Sequence, residues 1–376
     1  MYRLSSRAHR TPLAALAPLA AGLVLAACGS SAPHTSHHAP AAQATGNPSS
    51  PTTLNEAGST LLYPYLQVLA PAFNAAYSHI TLQPGPGGSG KGISDAIGGL
   101  VQMGGSDAYL SAALAAANPG LLNIPIAISA QAVDYNVPGV PNHLKLTGNI
   151  LAQIYQGKIT HWNDSAIAAL NPGVSLPATA IVPVRRVDSS GDTFIFTSLL
   201  SKTNAAWNRG PSFGTTVTWP AVRSELTAEG NPGMIQVCHN TPGCIAYIGV
   251  SVEKTALGQG LKEALLQNQA GSYVLPTQAT ITSAVNAAAG ATPANLSQSL
   301  IYSGGTDSYP IVNFEYMIVK SQQQSAGTAL AIRTFLSWAI SPTGGATAQN
   351  LASVNFVPLP TSVIPKVQAA IAKITG

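Results

Sequence analysis

The residues best suited to chemistry are Arg185 and Arg186, followed by Asp188, Ser189, Ser190, Gly191 and Asp192, where the run Val182-Pro183-Val184 gives way to a helical pattern. An arginine presents a planar fork of donors that matches a tetrahedral oxyanion. A Ser-Gly pair opening a helix adds a hydroxyl, free backbone N–H groups and the positive end of the helix dipole. The chemistry this spacing predicts is anion capture. The alternative is structural, with Asp188 or Ser190 capping a helix and both arginines in surface ion pairs. This stretch alone leaves the two readings even.

Three further stretches repeat the pattern. Leu54 to Gly58 reads as a short strand, Ser59-Thr60 as a turn, and the residues beyond as a helix carrying Leu66, Leu69, Phe73 and Tyr77 on one face. Ile80 to Gln83 is a strand leading through Gly85-Pro86-Gly87-Gly88-Ser89-Gly90 into another helix, and Val101 to Leu110 places Asp107 after a strand and near a helix start. A carboxylate facing an anion is favourable when the anion carries a proton. Phosphate near neutral pH has one to give, whereas sulfate would leave two buried acceptors opposed. The competing role for Asp107 is a helix N-cap.

Other chemistries fall away. Gly85 to Lys91 has Walker A spacing, but Gly92 stands where a magnesium-binding Ser or Thr is required. A phosphoryl-transfer enzyme would need clustered metal ligands, a His-Glu-x-x-His motif, a Gly-x-Ser-x-Gly elbow or a histidine beside the serines, and none of these is expected in this chain; His161 reads as a loop residue. The expectation is a binding protein with no catalysis, no metal and no cofactor. A surface adhesin that keeps the fold is the third possibility.

The chain opens with the basic segment Met1 to Arg10 and an apolar run from Pro12 to Ala27, too short for a comfortable membrane span. Residues 1–27 therefore read as an export signal, and Leu25-Ala26-Ala27-Cys28 resembles the bacterial lipobox, making Cys28 the expected lipidation site. Residues 28–52, rich in Ser, Ala, Pro and His, bury too little to fold and are expected to be a tether. His34, His37 and His38 within it are incidental as metal ligands. Removing 27 of 376 residues leaves 349, enough for two lobes. The formal charge of +4 less Arg3, Arg7 and Arg10 becomes +1, which points to no nucleic-acid surface. In an exported chain Cys238 and Cys244 are expected to form a disulfide closing a short turn.

Taken in order, Ala57-Gly58-Ser59-Thr60-Leu61-Leu62-Tyr63-Pro64, Gly88-Ser89-Gly90, Gly105-Ser106-Asp107, Arg186 to Phe194, Gly233-Met234 with Thr241-Pro242-Gly243, and Tyr309-Pro310-Ile311 resemble the substrate-binding lipoprotein of the bacterial high-affinity phosphate ABC importer, its actinobacterial members above all. The resemblance spans Leu54 to the C-terminus. It implies an α/β type II periplasmic-binding-protein fold, two lobes with mixed sheets flanked by helices and a hinge crossed twice. Lobe I would comprise 53–136 and 305–376, and lobe II 137–304. It implies phosphate bound by Ser59, Thr60, the Leu61 amide, Ser89, Asp107, Arg186, Ser190 and the Gly191 amide, with Arg185 off the ligand. It also implies delivery to the permease subunits by a monomer held on the outer face of the cytoplasmic membrane through acylated Cys28. Two features depart from relatives. Asp192 replaces a threonine, and either faces the ligand to favour the monoanion or turns away to cap its helix; sequence leaves both open. The Gly85 to Gly88 loop is a residue longer, which bears on the placement of Ser89.

Within the lobes, the apolar run Asn123 to Gln131 is expected as a buried strand followed by a hinge crossing at Val137-Pro138-Gly139. Tyr309 to Val319 is expected to return to lobe I, with Ala329 to Ile340 and Val363 to Ile374 as its amphipathic helices.

Overall fold

The computed structural model describes residues 45–376; the export signal, Cys28 and the three tether histidines lie outside them. Twelve strands are formed among the described residues: β1 (Thr52–Gly58), β2 (Ile80–Pro86), β3 (Met103–Ser106), β4 (Leu121–Asn136), β5 (Lys145–Leu146), β6 (Val182–Arg186), β7 (Leu226–Ala228), β8 (Cys244–Gly249), β9 (Lys262–Glu263), β10 (Leu265–Gln267), β11 (Tyr273–Val274) and β12 (Val312–Lys320). The path through the main sheet is β2-β1-β3-β12-β4-β8-β6-β7, with β9 also on β4.

β4 organises this path. Its 16 residues are buried from Asn123 to Tyr135, as a strand covered on both faces must be. As far as Ala130 it pairs antiparallel with β12, and from Gln131 onward with β8. The first half belongs to the sheet of lobe I, where β1 runs parallel to β2 and β3 and β12 runs against β3. The second half belongs to lobe II, where β8, β6 and β7 are mutually parallel. Both sheets are mixed, as the resemblance implies. The handover from one lobe to the other thus falls inside a continuous strand, several residues before the expected crossing at Val137.

The lobe I helices follow from their apolar spacing. Helix Tyr63–Ala76 has proline in its first turn and buries Leu66, Leu69 and Phe73. Phe73 packs against Phe335 and Trp338 at 5.1 and 5.3 Å between ring centroids. Both partners lie on helix Ala326–Ala339, whose N-cap Ser325 accepts from the Thr328 amide. Burying each such ring contributes about 2 kcal/mol.

Two boundaries differ from the sequence reading. Residues 46–51, assigned to the tether, dock on lobe I: the Gly46 amide donates to Thr334 Oγ1 at 2.9 Å, the His79 amide to Asn47 Oδ1 at 3.1 Å, and Pro48 is buried. Residues 277–304, assigned to lobe II, hydrogen-bond to both lobes, since the Ile301 carbonyl accepts from Lys202 Nζ at 2.6 Å while other bonds reach lobe I. Gln278 Nε2 donates to the Phe356 carbonyl at 2.7 Å, and Tyr316 Oη to the Leu296 carbonyl at 2.9 Å. Composition marks these segments as polar loops, but cannot show that lobe I supplies their partners. Cys238 and Cys244 are disulfide-bonded with Cα atoms 5.3 Å apart. No helix among the described residues is long and apolar enough to cross a membrane.

Candidate functional site

Three of the four predicted stretches sit where a strand ends and a helix begins. β1 runs so close to β3 that a Cβ on Gly58 would lie 2.0 Å from the Gly105 carbonyl oxygen. This closeness brings Ser59 beside Asp107, just past the end of β3. Ser59 Oγ accepts from the amides of Leu61 and Leu62, each at 3.0 Å, and donates to Asp107 Oδ1. Ser89 opens helix Ser89–Gly98 behind Gly88, whose φ of +84° suits glycine. Its Oγ accepts from the Asp107 amide at 3.1 Å and donates to Asp107 Oδ2 at 3.2 Å. Asp107 is therefore no N-cap; it is the point where two lobe I hydroxyls converge.

Lobe II approaches the same carboxyl. Helix Gly191–Thr203 is capped by Ser190, whose Oγ accepts from the Thr193 amide at 3.3 Å. A Cβ placed on Gly191 would lie 2.3 Å from both Asp107 Oδ2 and Ser89 Oγ. The lobes also meet directly, with the Gly90 amide donating to the Ser189 carbonyl at 3.0 Å and the Asn231 amide to Thr60 Oγ1 at 3.2 Å. A cavity of about 280 Å³ bordered by Thr60, Gly87, Asp188 and Gly230 opens at this seam. We expect Gly191→Ala to hold the lobes apart at Asp107 and remove anion binding with little loss of stability. Small-angle scattering and titration of the same sample would check both halves, and undiminished binding would show that the seam yields.

The two arginines divide their work. Arg185 is half-buried, pairs with Glu225 at 2.9 Å and lies over the Trp219 ring. Arg186 is buried: Nε donates to Asp188 Oδ1 at 2.7 Å, Nη2 to Asp188 Oδ2, and Nη1 to Asp192 Oδ2 at 2.6 Å. Burial alone would lower the Arg186 pKa, but the hydrogen-bonded Asp188 and the charge of Asp192 raise it, so the guanidinium stays protonated. Burial opposes ionisation of Asp188, yet the Arg186 fork holds that carboxyl below its ordinary range. Asp192 neither caps its helix nor stands free. Its oxygens accept from Arg186, from Gln131 Nε2 at 3.1 Å and from Asn231 Nδ2 at 2.9 Å.

The carboxyl at the centre is electrostatically poised. Burial first, and the Asp192 charge second, push Asp107 up to about 7, against the opposing effects of Ser59, Glu315 and Arg186. Behind it, burial pushes Glu56 up to about 8 although the Gly105 amide donates to its Oε1 at 3.1 Å. Sequence reasoning passed over Gln131, Asn231, Glu56 and Glu315. A signal existed for two of them: Gln131 and Glu315 are polar side chains flanked by apolar residues in largely apolar strands, where a buried polar group needs a partner.

Two alternatives find no support in this geometry. Gly210-Pro211-Ser212-Phe213-Gly214 has the Gly-x-Ser-x-Gly spacing, but it follows helix Ala205–Arg209 instead of a strand, so Ser212 is not on a nucleophile elbow. His161 is exposed, its backbone bridged to Ala180 and its Nδ1 hydrogen-bonded to Thr160 Oγ1 at 3.0 Å, with no hydrogen bond to a serine of the seam.

Known proteins agree with the fold. The family model described as the PBP superfamily domain matches residues 42–343. The phosphate-binding protein PstS of Xylella fastidiosa is 31% identical over 318 residues, covering 84% of each chain. The phosphate-binding protein PstS3 of Mycobacterium bovis is 34% identical over a 374-residue alignment, covering 95% of this chain and 97% of that one. Among solved structures, a high-affinity periplasmic phosphate-binding protein with bound phosphate superposes with a TM-score of 0.66 at 22% identity, over 85% of this chain and 93% of that one. A phosphate ABC transporter substrate-binding protein from Clostridium perfringens gives 0.59 at 18% identity, over 82% and 100%. With this fold and these relatives along nearly its whole length, the chain belongs to the PstS family of phosphate-binding proteins within the PBP superfamily.

Proposed function

We propose that this protein is the extracytoplasmic receptor of a phosphate ABC importer, capturing inorganic phosphate between its lobes and handing it to the permease without breaking a bond. The observation that carries the reading is the convergence of Ser59, Ser89 and Asp107 from lobe I on Gly191 and Arg186 from lobe II. Phosphate would replace the bonds that Ser59 and Ser89 now make to Asp107. Its oxygens would take the hydroxyls of Ser59, Thr60, Ser89 and Ser190, the amides of Leu61 and Gly191, and the Arg186 guanidinium. Its remaining proton would go to Asp107. Because Asp188 and Asp192 already neutralise Arg186, attraction would come chiefly from backbone dipoles at the helix starts. Asp192 would contribute by clamping Arg186 between Gln131 and Asn231.

Donors from both lobes would be satisfied together only when the cleft is shut, so binding energy goes into closure. Acylation of Cys28 would hold the receptor as a monomer at the outer face of the membrane, within reach of the permease. The test is calorimetric titration of the signal-free domain with phosphate and with sulfate. One-to-one phosphate binding without a sulfate response supports the reading, and no phosphate response ends it. Asp107→Asn separates the roles at the centre. It supplies a donor where an acceptor stood, so sulfate rejection is expected to fall more than phosphate affinity; intact sulfate rejection would remove Asp107 from the selectivity argument.

A further inference from the structure

Behind Asp107, on the side away from Gly191, lies a second acid. Glu315 is on β12 and fully buried. The pairing of β12 with β4 slips by one residue between Glu315 and Tyr316, a bulge of the kind that re-aims a side chain beside a site. Glu315 Oε1 accepts from Ser129 Oγ and from Asn313 Nδ2 at 3.1 Å. Glu315 Oε2 has no donor from the protein. An ionised carboxylate oxygen buried without a donor is costly, but an oxygen that bears the proton itself is not, provided it has an acceptor. Asp107 supplies that acceptor: the Asn313 side-chain amide that holds Glu315 Oε1 at 3.1 Å also donates to the Asp107 carbonyl at 3.5 Å, so one side chain bridges the two acids, and each carboxyl acts on the other's ionisation.

We propose that Glu315 is a positioning residue that stays protonated and donates to Asp107, keeping Asp107 ionised so that it can accept the proton of bound phosphate. The proton order then runs from ligand to Asp107 and from Glu315 to Asp107, with one carboxylate served by two donors. The proposal rests on the phosphate reading above. Besides Glu56, which β1 holds on the Gly105 amide near Asp107, the charged groups acting on the pair come from both lobes. On lobe II these are Arg186, which favours an ionised Asp107, and Asp192, which opposes it; on lobe I it is Asp107 facing Glu315. Burial, then the Asp107 charge, drive Glu315 well above the ordinary carboxylate range, and the donors decide where the proton sits: both Asp107 oxygens have a hydroxyl donor, from Ser59 and Ser89, whereas Glu315 Oε2 has none, so the shared proton belongs to Glu315.

The experiment compares wild type, Glu315→Gln and Glu315→Leu by phosphate and sulfate titration from pH 5 to 9. Each variant is read as its ratio to wild type at the same pH, so that the ligand's own titration cancels. Glutamine keeps a donor toward Asp107 and is expected to hold affinity within roughly threefold at every pH, since the change is of one hydrogen bond for another. Leucine removes the donor, and its acid limb is expected to move up by about one pH unit, a roughly tenfold loss there, with sulfate binding emerging. Subtracting the infrared spectrum of Glu315→Gln from that of wild type, both ligand-free at neutral pH, should leave a protonated carboxylic acid band, since the other buried acids contribute equally to both; this readout needs no phosphate and stands if the leucine variant fails to fold. A glutamine variant that behaves like leucine, an acid limb that moves down, or a wild-type-minus-Glu315→Gln spectrum with no acid band would each overturn the proposal. Absence of phosphate binding by wild type would sink the receptor reading and leave the infrared result to judge Glu315 by itself.

Discussion

Arg186→Ala is expected to abolish measurable phosphate binding and to destabilise the folded protein by about 3–5 kcal/mol, the usual consequence of removing one partner from a buried ion pair. Two carboxylates depend on this one guanidinium. Asp188 and Asp192 would be left facing each other in a site where Arg186, Asp192 and Ser190 are all almost fully buried. Urea unfolding would read the stability and calorimetry the binding. A second variant tells the two losses apart: adding Asp192→Asn to Arg186→Ala removes one orphaned charge and should recover part of the stability, but none of the binding. Phosphate affinity within tenfold of wild type in Arg186→Ala would mean that the arginine is only structural, and that the helix N-termini alone hold the anion.

The pattern of loops was legible in sequence because each depends on local chemistry. A serine beside a glycine at a strand-to-helix junction follows from local chemistry, so Ser59 after Gly58, Ser89 after Gly88 and Ser190 before Gly191 stand near helix starts as their neighbours dictate. The partners of those loops were not legible, because they come from far along the chain. Gln131 and Asn231 are separated by 100 positions, yet both clamp Asp192. The surroundings of Asp192 could not be read without them: between ligand contact and helix cap, nothing in the sequence signalled that its oxygens also accept from Arg186, Gln131 and Asn231. The lobe boundary was obscured for a related reason. β4 reads as one buried strand throughout, and only the change of partner from β12 to β8 marks the passage from lobe to lobe. With so few charged residues in the chain, each acid inside an apolar run was a candidate, and Glu315 and Asp134 should have been singled out on that ground alone.

Asp134 belongs to a cluster that leads to the second large expectation: in phosphate-free buffer the melting temperature should fall steadily as pH rises from 6 to 9. Asp134 on β4 stands opposite Glu263 on β9, and Glu253 opens the neighbouring helix Glu253–Gly258. Both oxygens of Asp134 and of Glu253, and one of Glu263, have no hydrogen-bond partner. Among the described residues no group of acids, histidines or cysteines is arranged to hold a metal ion, so protons must keep this cluster neutral. Burial first, and mutual repulsion next, push Glu253 up to about 11, while burial takes Glu263 to about 7 and Asp134 well above its ordinary range. The sign follows from these directions. A carboxyl whose folded pKa is raised contributes stability that is complete below its unfolded value and disappears as pH climbs through the folded one. For Glu263 that loss is on the order of 3 kcal/mol spread from about pH 4.5 to about 7. Glu253 extends it toward pH 11, and Glu56 with its value of about 8 adds to it in lobe I. Asp188, held low by Arg186, acts in the opposite direction but only near pH 4 and below, outside the window chosen. Glu253→Gln isolates the cluster's share, since an amide of the same shape has no charge to desolvate. Its melting temperature should exceed that of wild type at pH 8 and match it near pH 5, with a shallower slope between. A variant less stable than wild type at pH 8 would mean that Glu253 is ionised and paired in the folded protein, and that the cluster is a source of stability at high pH instead of a cost.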